Sequence, residues 1–184
     1  MSRVFQFVFI ATALICSTAA YARMEAVPLK YGSNPIDLDG DGKTEQVIKT
    51  WRENFNAHGY YGYLFLEERE SYKGQITSTI TVLAPDKGLH RDMARSNEGV
   101  DCTVTDFTLI RTDNDPALVL LRSSRPITDG YSGNYPVTFE FYKLTRNEEG
   151  LPGDPYRYWK WYKSITSKQK YCDVHKAMNA EILQ

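Results

Sequence analysis

Asp37, Asp39 and Asp41 stand at alternate positions in the stretch DLDGDGKTE, with Gly42 behind them and Glu45 closing it. Calcium takes about six to eight oxygens gathered by a tight turn. Three aspartate carboxylates, the Lys43 backbone carbonyl and the Glu45 carboxylate form a candidate set of that kind. An EF-hand loop also needs a closing bidentate glutamate and flanking helices. Ile48 stands where that glutamate would be, and the chain there alternates like a strand. The loop is therefore not an EF-hand, and any calcium is expected to be structural. The plainer alternative is an Asp/Gly turn whose side chains satisfy its own backbone amides.

Hydrolytic chemistry finds little footing in the sequence. Ser167-Lys168-Gln169-Lys170 has the Ser-x-x-Lys spacing of a serine β-lactamase, and Ser132-Gly133-Asn134 mimics a companion element. They come in the wrong chain order, and no Lys-Thr-Gly or Lys-Ser-Gly follows. His58, His90 and His175 are far apart and lack the paired spacing of a zinc site. No nucleophile elbow is present. A non-enzyme is the expectation.

The elements that must position these groups are mostly strands. Segments 44–52, 60–68, 75–83, 102–112, 117–123, 136–145 and 157–165 show alternation or β-branched and aromatic enrichment. Residues 72–74 read as a hairpin turn. Segment 84–101 is polar and predicts a short helix around Leu89 to Arg95. In the tail 172–183, Val174, Ala177, Met178 and Ile182 fall near helical spacing, with Asp173 suited to the first turn. The fold class expected is mainly β: an antiparallel β-sandwich or half-open barrel with a C-terminal α-helix. The stretches 38–52 and 112–125 echo one another as acidic turn, apolar strand and arginine. Chance explains such an echo more simply than duplication.

Residues 1–22 read as a secretory signal, with Arg3 as the basic region, an apolar run from Val4 to Cys16 and Ala20-Tyr21-Ala22 before the cut. Ile15 before Cys16 argues against a lipoprotein. Residues 23–184 are then one β-rich exported domain, expected in a bacterial periplasm. Cys102 and Cys172, left in an oxidising compartment, are expected to form a disulfide. The net charge of −1 gives no basic face for nucleic acid. No second long apolar run suggests a membrane anchor.

Several blocks together are recognisable. NPIDLDGDGKTEQVI, then RENFNAH, then a Tyr-rich strand resembles the carbapenem intrinsic-resistance proteins of the CarG/CpmG type. DNDPALVLLR, PVTFEFYKL, GLPGDPYRYW and KQKYCDVHKAM are similar to the same family, so the likeness covers essentially residues 23–184. The resemblance implies a periplasmic protein that lets a cell survive a carbapenem without acting as a β-lactamase. Binding the drug is the natural mechanism. A carbapenem carries a carboxylate on a compact bicyclic body, so its site would use an arginine fork and aromatic walls. Candidates are the polar run Arg52, Asn54, Asn56 and His58, the strand-end Arg122 and Arg125, and Tyr60 and Tyr131, with Tyr61 and Tyr135 as further wall residues. The alternative, from another class, is an exported inhibitor or immunity protein that binds a protein such as a lysozyme, with loop 123–136 protruding.

Overall fold

Alternating side chains decide most of the chain. The computed structural model describes residues 23–56, 58–83, 90–99, 101–128, 130–150 and 152–183, and the expected signal segment 1–22 lies outside them. Among the described residues twelve strands form one sheet. They are β1 Met24–Ala26, β2 Gly32–Ile36, β3 Glu45–Arg52, β4 Tyr60–Ser71, β5 Gly74–Leu83, β6 His90–Arg91, β7 Ala94–Arg95, β8 Asn97–Glu98, β9 Thr103–Thr112, β10 Asp115–Ser124, β11 Tyr135–Arg146 and β12 Arg157–Tyr171. One helix, α1 Val174–Glu181, follows. The sheet runs β1-β9-β10-β11-β12-β5-β4-β3-β2, with the three two-residue strands attached at its side, and it does not close into a barrel.

Two four-stranded meanders are visible in that order, β2 to β5 and β9 to β12. Their last strands meet in the one parallel ladder, Tyr158–Lys160 of β12 against Thr81–Leu83 of β5. Among the described residues all other pairings are antiparallel. The mainly β expectation with a C-terminal helix holds, and this seam is a parallel pairing within it. The echoing stretches lead into β3 and β10, the second strand of each meander, so they occupy equivalent places.

The halves close over a shared core. Val47, Tyr63, Phe65, Ile80 and Val82 from the first half pack with Phe107, Leu109, Leu118, Leu120, Tyr142 and Trp159 from the second. Because successive strand residues face opposite sides, Ile110, Val119, Leu121, Val137, Phe139 and Phe141 form a second cluster on the other face. Val174, Ala177, Met178 and Ile182 cover it. Asp173 caps the helix by accepting the amides of His175 and Lys176. The Cys102–Cys172 disulfide, with Cα atoms 5.7 Å apart, pins the start of α1 to the start of β9 as expected.

The helix expected around Leu89 to Arg95 is not there. Leu89 lies outside the described residues, and 90–95 instead form β6, a bend and β7. The reason is tertiary pairing: Arg91 and His90 ladder with Val82 and Leu83, and Ala94 and Arg95 ladder with Tyr63 and Gly62. No helix among the described residues is long and apolar enough to cross a membrane.

Candidate functional site: an arginine-lined cleft

The pairing of β6 with β5 and of β7 with β4 carries two arginines onto the same side of the sheet. Arg122 comes from β10. Arg91, Arg95 and Arg122 line one cleft of about 400 Å³, together with Val82, Met93, Ala94, Phe107, Ser96, Asn97 and Thr105. Ala94 is buried and brings no bulk, so the wall between the two strand arginines stays low.

Each arginine is held differently. The Arg95 guanidinium lies over the Tyr60 ring, 4.8 Å from its centroid, which fixes its plane at little cost in charge. Arg122 pairs with the Glu140 carboxylate, which also accepts the Tyr142 hydroxyl at 3.4 Å. Burial, then the Glu140 charge, pushes the Tyr142 phenol above its ordinary value. Arg91 reaches the cleft from β6. Ser96 is buried, and its Oγ accepts the Tyr61 amide at 2.7 Å.

The residues expected from sequence divide around this cleft. Arg122 lines it, and Tyr60 supports Arg95. Tyr131 donates to Asn97 Oδ1 at 3.4 Å on the rim, and the His58 ring lies 4.6 Å from the Tyr131 ring. The His58 Nδ1 also meets the Glu98 carbonyl at 3.0 Å. Arg52 pairs in register with Tyr60 and is exposed. The rest of the RENFNAH block is turn chemistry. Glu53 accepts the amides of Asn54 and Phe55, and Asn56 accepts that of His58. Phe55 takes φ 54° and is 95% exposed. Arg125 is buried and donates to the carbonyls of Cys172, Tyr131 and Pro126, with Tyr135 under its guanidinium at 5.5 Å. Its geometry is that of a loop anchor. Sequence reasoning missed Arg91 and Arg95. Their signal was two arginines four positions apart in the polar stretch after residue 84.

The acidic loop sits elsewhere, at the far end of β3. Asp37, Asp39 and Glu45 each offer a carboxylate oxygen, all within 4.8 Å of one another. These three could hold a cation. Asp37 also accepts the amides of Gly40 and Gly42 at 2.7 and 2.8 Å, and Asp41 accepts that of Lys43 at 2.8 Å. That amide holds the exposed Asp41 carboxyl below its ordinary value. A cationic side chain already enters the cluster: Arg157 donates to Asp39 at 2.6 Å, Glu45 at 2.7 Å and Glu67 at 3.1 Å. The Asp41 carboxylate is not one of the converging trio. Of the hydrolase motifs, Ser167 is buried between the Val137 amide, which it accepts, and the Gln169 carbonyl, to which it donates.

Residues 29–180 match the family model described as carbapenem resistance protein CarG-like. The fold is similar to the crystal structure of CarG, with a TM-score of 0.70 over 86% of this chain and 95% of that one, at 20% identity. No curated protein sequence matches the chain.

Proposed function

The chain belongs to the CarG-like family of carbapenem resistance proteins, and from that premise we propose that it protects by holding a carbapenem, unhydrolysed, in the arginine cleft. The observation that carries this is the convergence of Arg91, Arg95 and Arg122 on one concavity with apolar walls. Guanidinium groups bind carboxylates in bidentate fashion. The volume lies toward the lower end of the range for small-molecule sites, roughly 300–1,000 Å³, which suits a compact bicycle. The engagement of Ser96 with the Tyr61 amide supports binding over acyl transfer. Action in the periplasm is part of the proposal, supported by the apolar N-terminal sequence and by a disulfide, which persists in oxidising compartments.

Calorimetric titration of the purified protein with a carbapenem, with the β-lactam absorbance followed in parallel, tests the reading. One saturable site with constant absorbance is expected. Arg95→Ala should weaken it about tenfold or more, as loss of a charged hydrogen bond of roughly 1.5–3 kcal/mol implies. Catalytic loss of absorbance would make the protein a hydrolase. Silence at millimolar drug, with one stoichiometric protein recovered from a periplasmic pull-down, would move the function to the inhibitor class.

We also propose a structural calcium ion on Asp37, Asp39 and Glu45, supported by the convergence of their carboxylates. Melting with calcium and with EDTA tests it. A hundredfold excess over Kd stabilises by about 2.7 kcal/mol, and superimposable melts would leave the loop to Arg157 and Arg146.

A further inference from the structure

Phe107 of the arginine cleft also lines a second cavity, of about 360 Å³. Among the described residues it is the one common to the two linings. We infer that this second cavity, between β1, β3, β4, β9 and α1, is an independent binding site for a small organic monocarboxylate with an apolar body.

The charge inventory selects the ligand. Lys49 lines the cavity, and its ammonium is held by π faces: 4.8 Å from the Tyr61 ring centroid, 5.6 Å from Tyr31 and 5.9 Å from Tyr63. Among the described residues Lys49 forms no ion pair. Ring quadrupoles stabilise a cation without cancelling its charge. The other two charged groups of the lining, Asp106 and His175, are engaged with one another. Asp106 meets the His175 Nε2 at 2.7 Å and accepts the Tyr63 hydroxyl at 2.9 Å. That hydrogen bond favours the imidazolium over the neutral ring. Lys49 is left as the cation of the lining that lies outside this pair.

A cationic ligand would meet both Lys49 and His175. A dianion would bring its second charge against Asp106. A monoanion fits, with its carboxylate at Lys49 and its body against Val27, Leu29, Leu109 and Met178. Buried apolar walls with a few convergent polar groups are the ordinary make-up of a small-molecule site.

The test uses benzoate as probe and benzamide as its neutral isostere, titrated by calorimetry at low salt. Benzoate should saturate one site, with benzamide weaker by about tenfold or more. Lys49→Met should weaken benzoate by a similar factor, and Lys49→Arg should restore most of it. Thermal melts establish that both variants are folded. Arg95→Ala, which disables the cleft, should leave benzoate binding unchanged, and Lys49→Met should leave carbapenem binding unchanged. No saturation by benzoate, wild-type benzoate affinity in Lys49→Met, or loss of benzoate binding in Arg95→Ala would each overturn the inference.

Discussion

Arg122 and Arg157 are both strand arginines facing carboxylates, yet their surroundings set them different tasks. Arg122 is partly exposed and, among the described residues, pairs with Glu140 alone. On the proposed function, a drug carboxylate in the cleft competes with Glu140 for that guanidinium. Glu140→Gln keeps the shape and removes the competitor. It should tighten carbapenem binding by about fivefold, the roughly 1 kcal/mol of an accessible ion pair. Unchanged calorimetric affinity would take Arg122 out of the site. Arg157 is only 4% exposed and answers to Asp39, Glu45 and Glu67 together. Burial alone would lower its pKa, but its hydrogen bonds to Glu45 and Glu67 raise it. Arg157→Met strands the buried Glu45, while Asp39 keeps Arg146 and Glu67 keeps Arg69, and should cost about 3–5 kcal/mol in urea unfolding. A cost within about 1 kcal/mol would class the network with exposed pairs. The sequence displays Arg157 as one residue of an aromatic strand. Its partners lie 118, 112 and 90 residues away, and no local pattern connects them. The carboxylates of the loop were legible because they are neighbours in sequence.

At the scale of elements, long strands and α1 were readable and the short ones were not. A two-residue strand such as β6 or β7 has no alternation to detect; only the pairing of each with β5 or β4 creates it. The positions of Arg91 and Arg95 were hidden for the same reason. The helix was legible by its spacing, but the groups that dock it were not. Burial alone would raise the Asp173 carboxyl, yet the amides of Thr103, Lys176 and His175 outweigh it and hold it below its ordinary value. The hydrogen bond to Asp106, against the effect of burial, raises the His175 imidazole above its own. The signs follow by linkage. A lowered carboxyl stabilises above the unfolded value of about 3.9 and loses that stabilisation as pH falls through the folded pKa. A raised imidazole stabilises fully below about 6.5 and loses it as pH rises through the folded pKa. Docking of α1 should therefore be tightest between about pH 4 and 6.5. Melting temperature against pH should fall on both sides of that window. His175→Gln should flatten the alkaline limb and Asp173→Asn the acid limb. A wild-type alkaline limb in His175→Gln would refute the contribution of the Asp106 pair.

The whole molecule is two meanders sharing a core, and the acidic loop of one rests on the turn of the other. The Leu118 amide donates to the Leu38 carbonyl at 2.9 Å, and both leucine side chains enter the common core. The internal echo in the sequence pointed to these two turns. It could not say that they touch, because strand order depends on the parallel seam between β5 and β12. The contact gives the loop glycines unequal importance. Gly40 and Gly42 both have positive φ, 77° and 86°, so either alanine substitution carries the left-handed penalty of roughly 1–2 kcal/mol. A Cβ on Gly42 would meet nothing within 4 Å, whereas one on Gly40 would lie 2.7 Å from the Pro116 Cβ and 2.9 Å from its Cγ. The proline ring cannot rotate away. Gly40→Ala must push the loop off the second meander, so it should lower the midpoint of urea unfolding well beyond Gly42→Ala. Overpacking typically adds about 1–3 kcal/mol. Equal losses in the two variants would mean that the loop can lift from Pro116 freely, and that the halves are joined by the core and the seam alone.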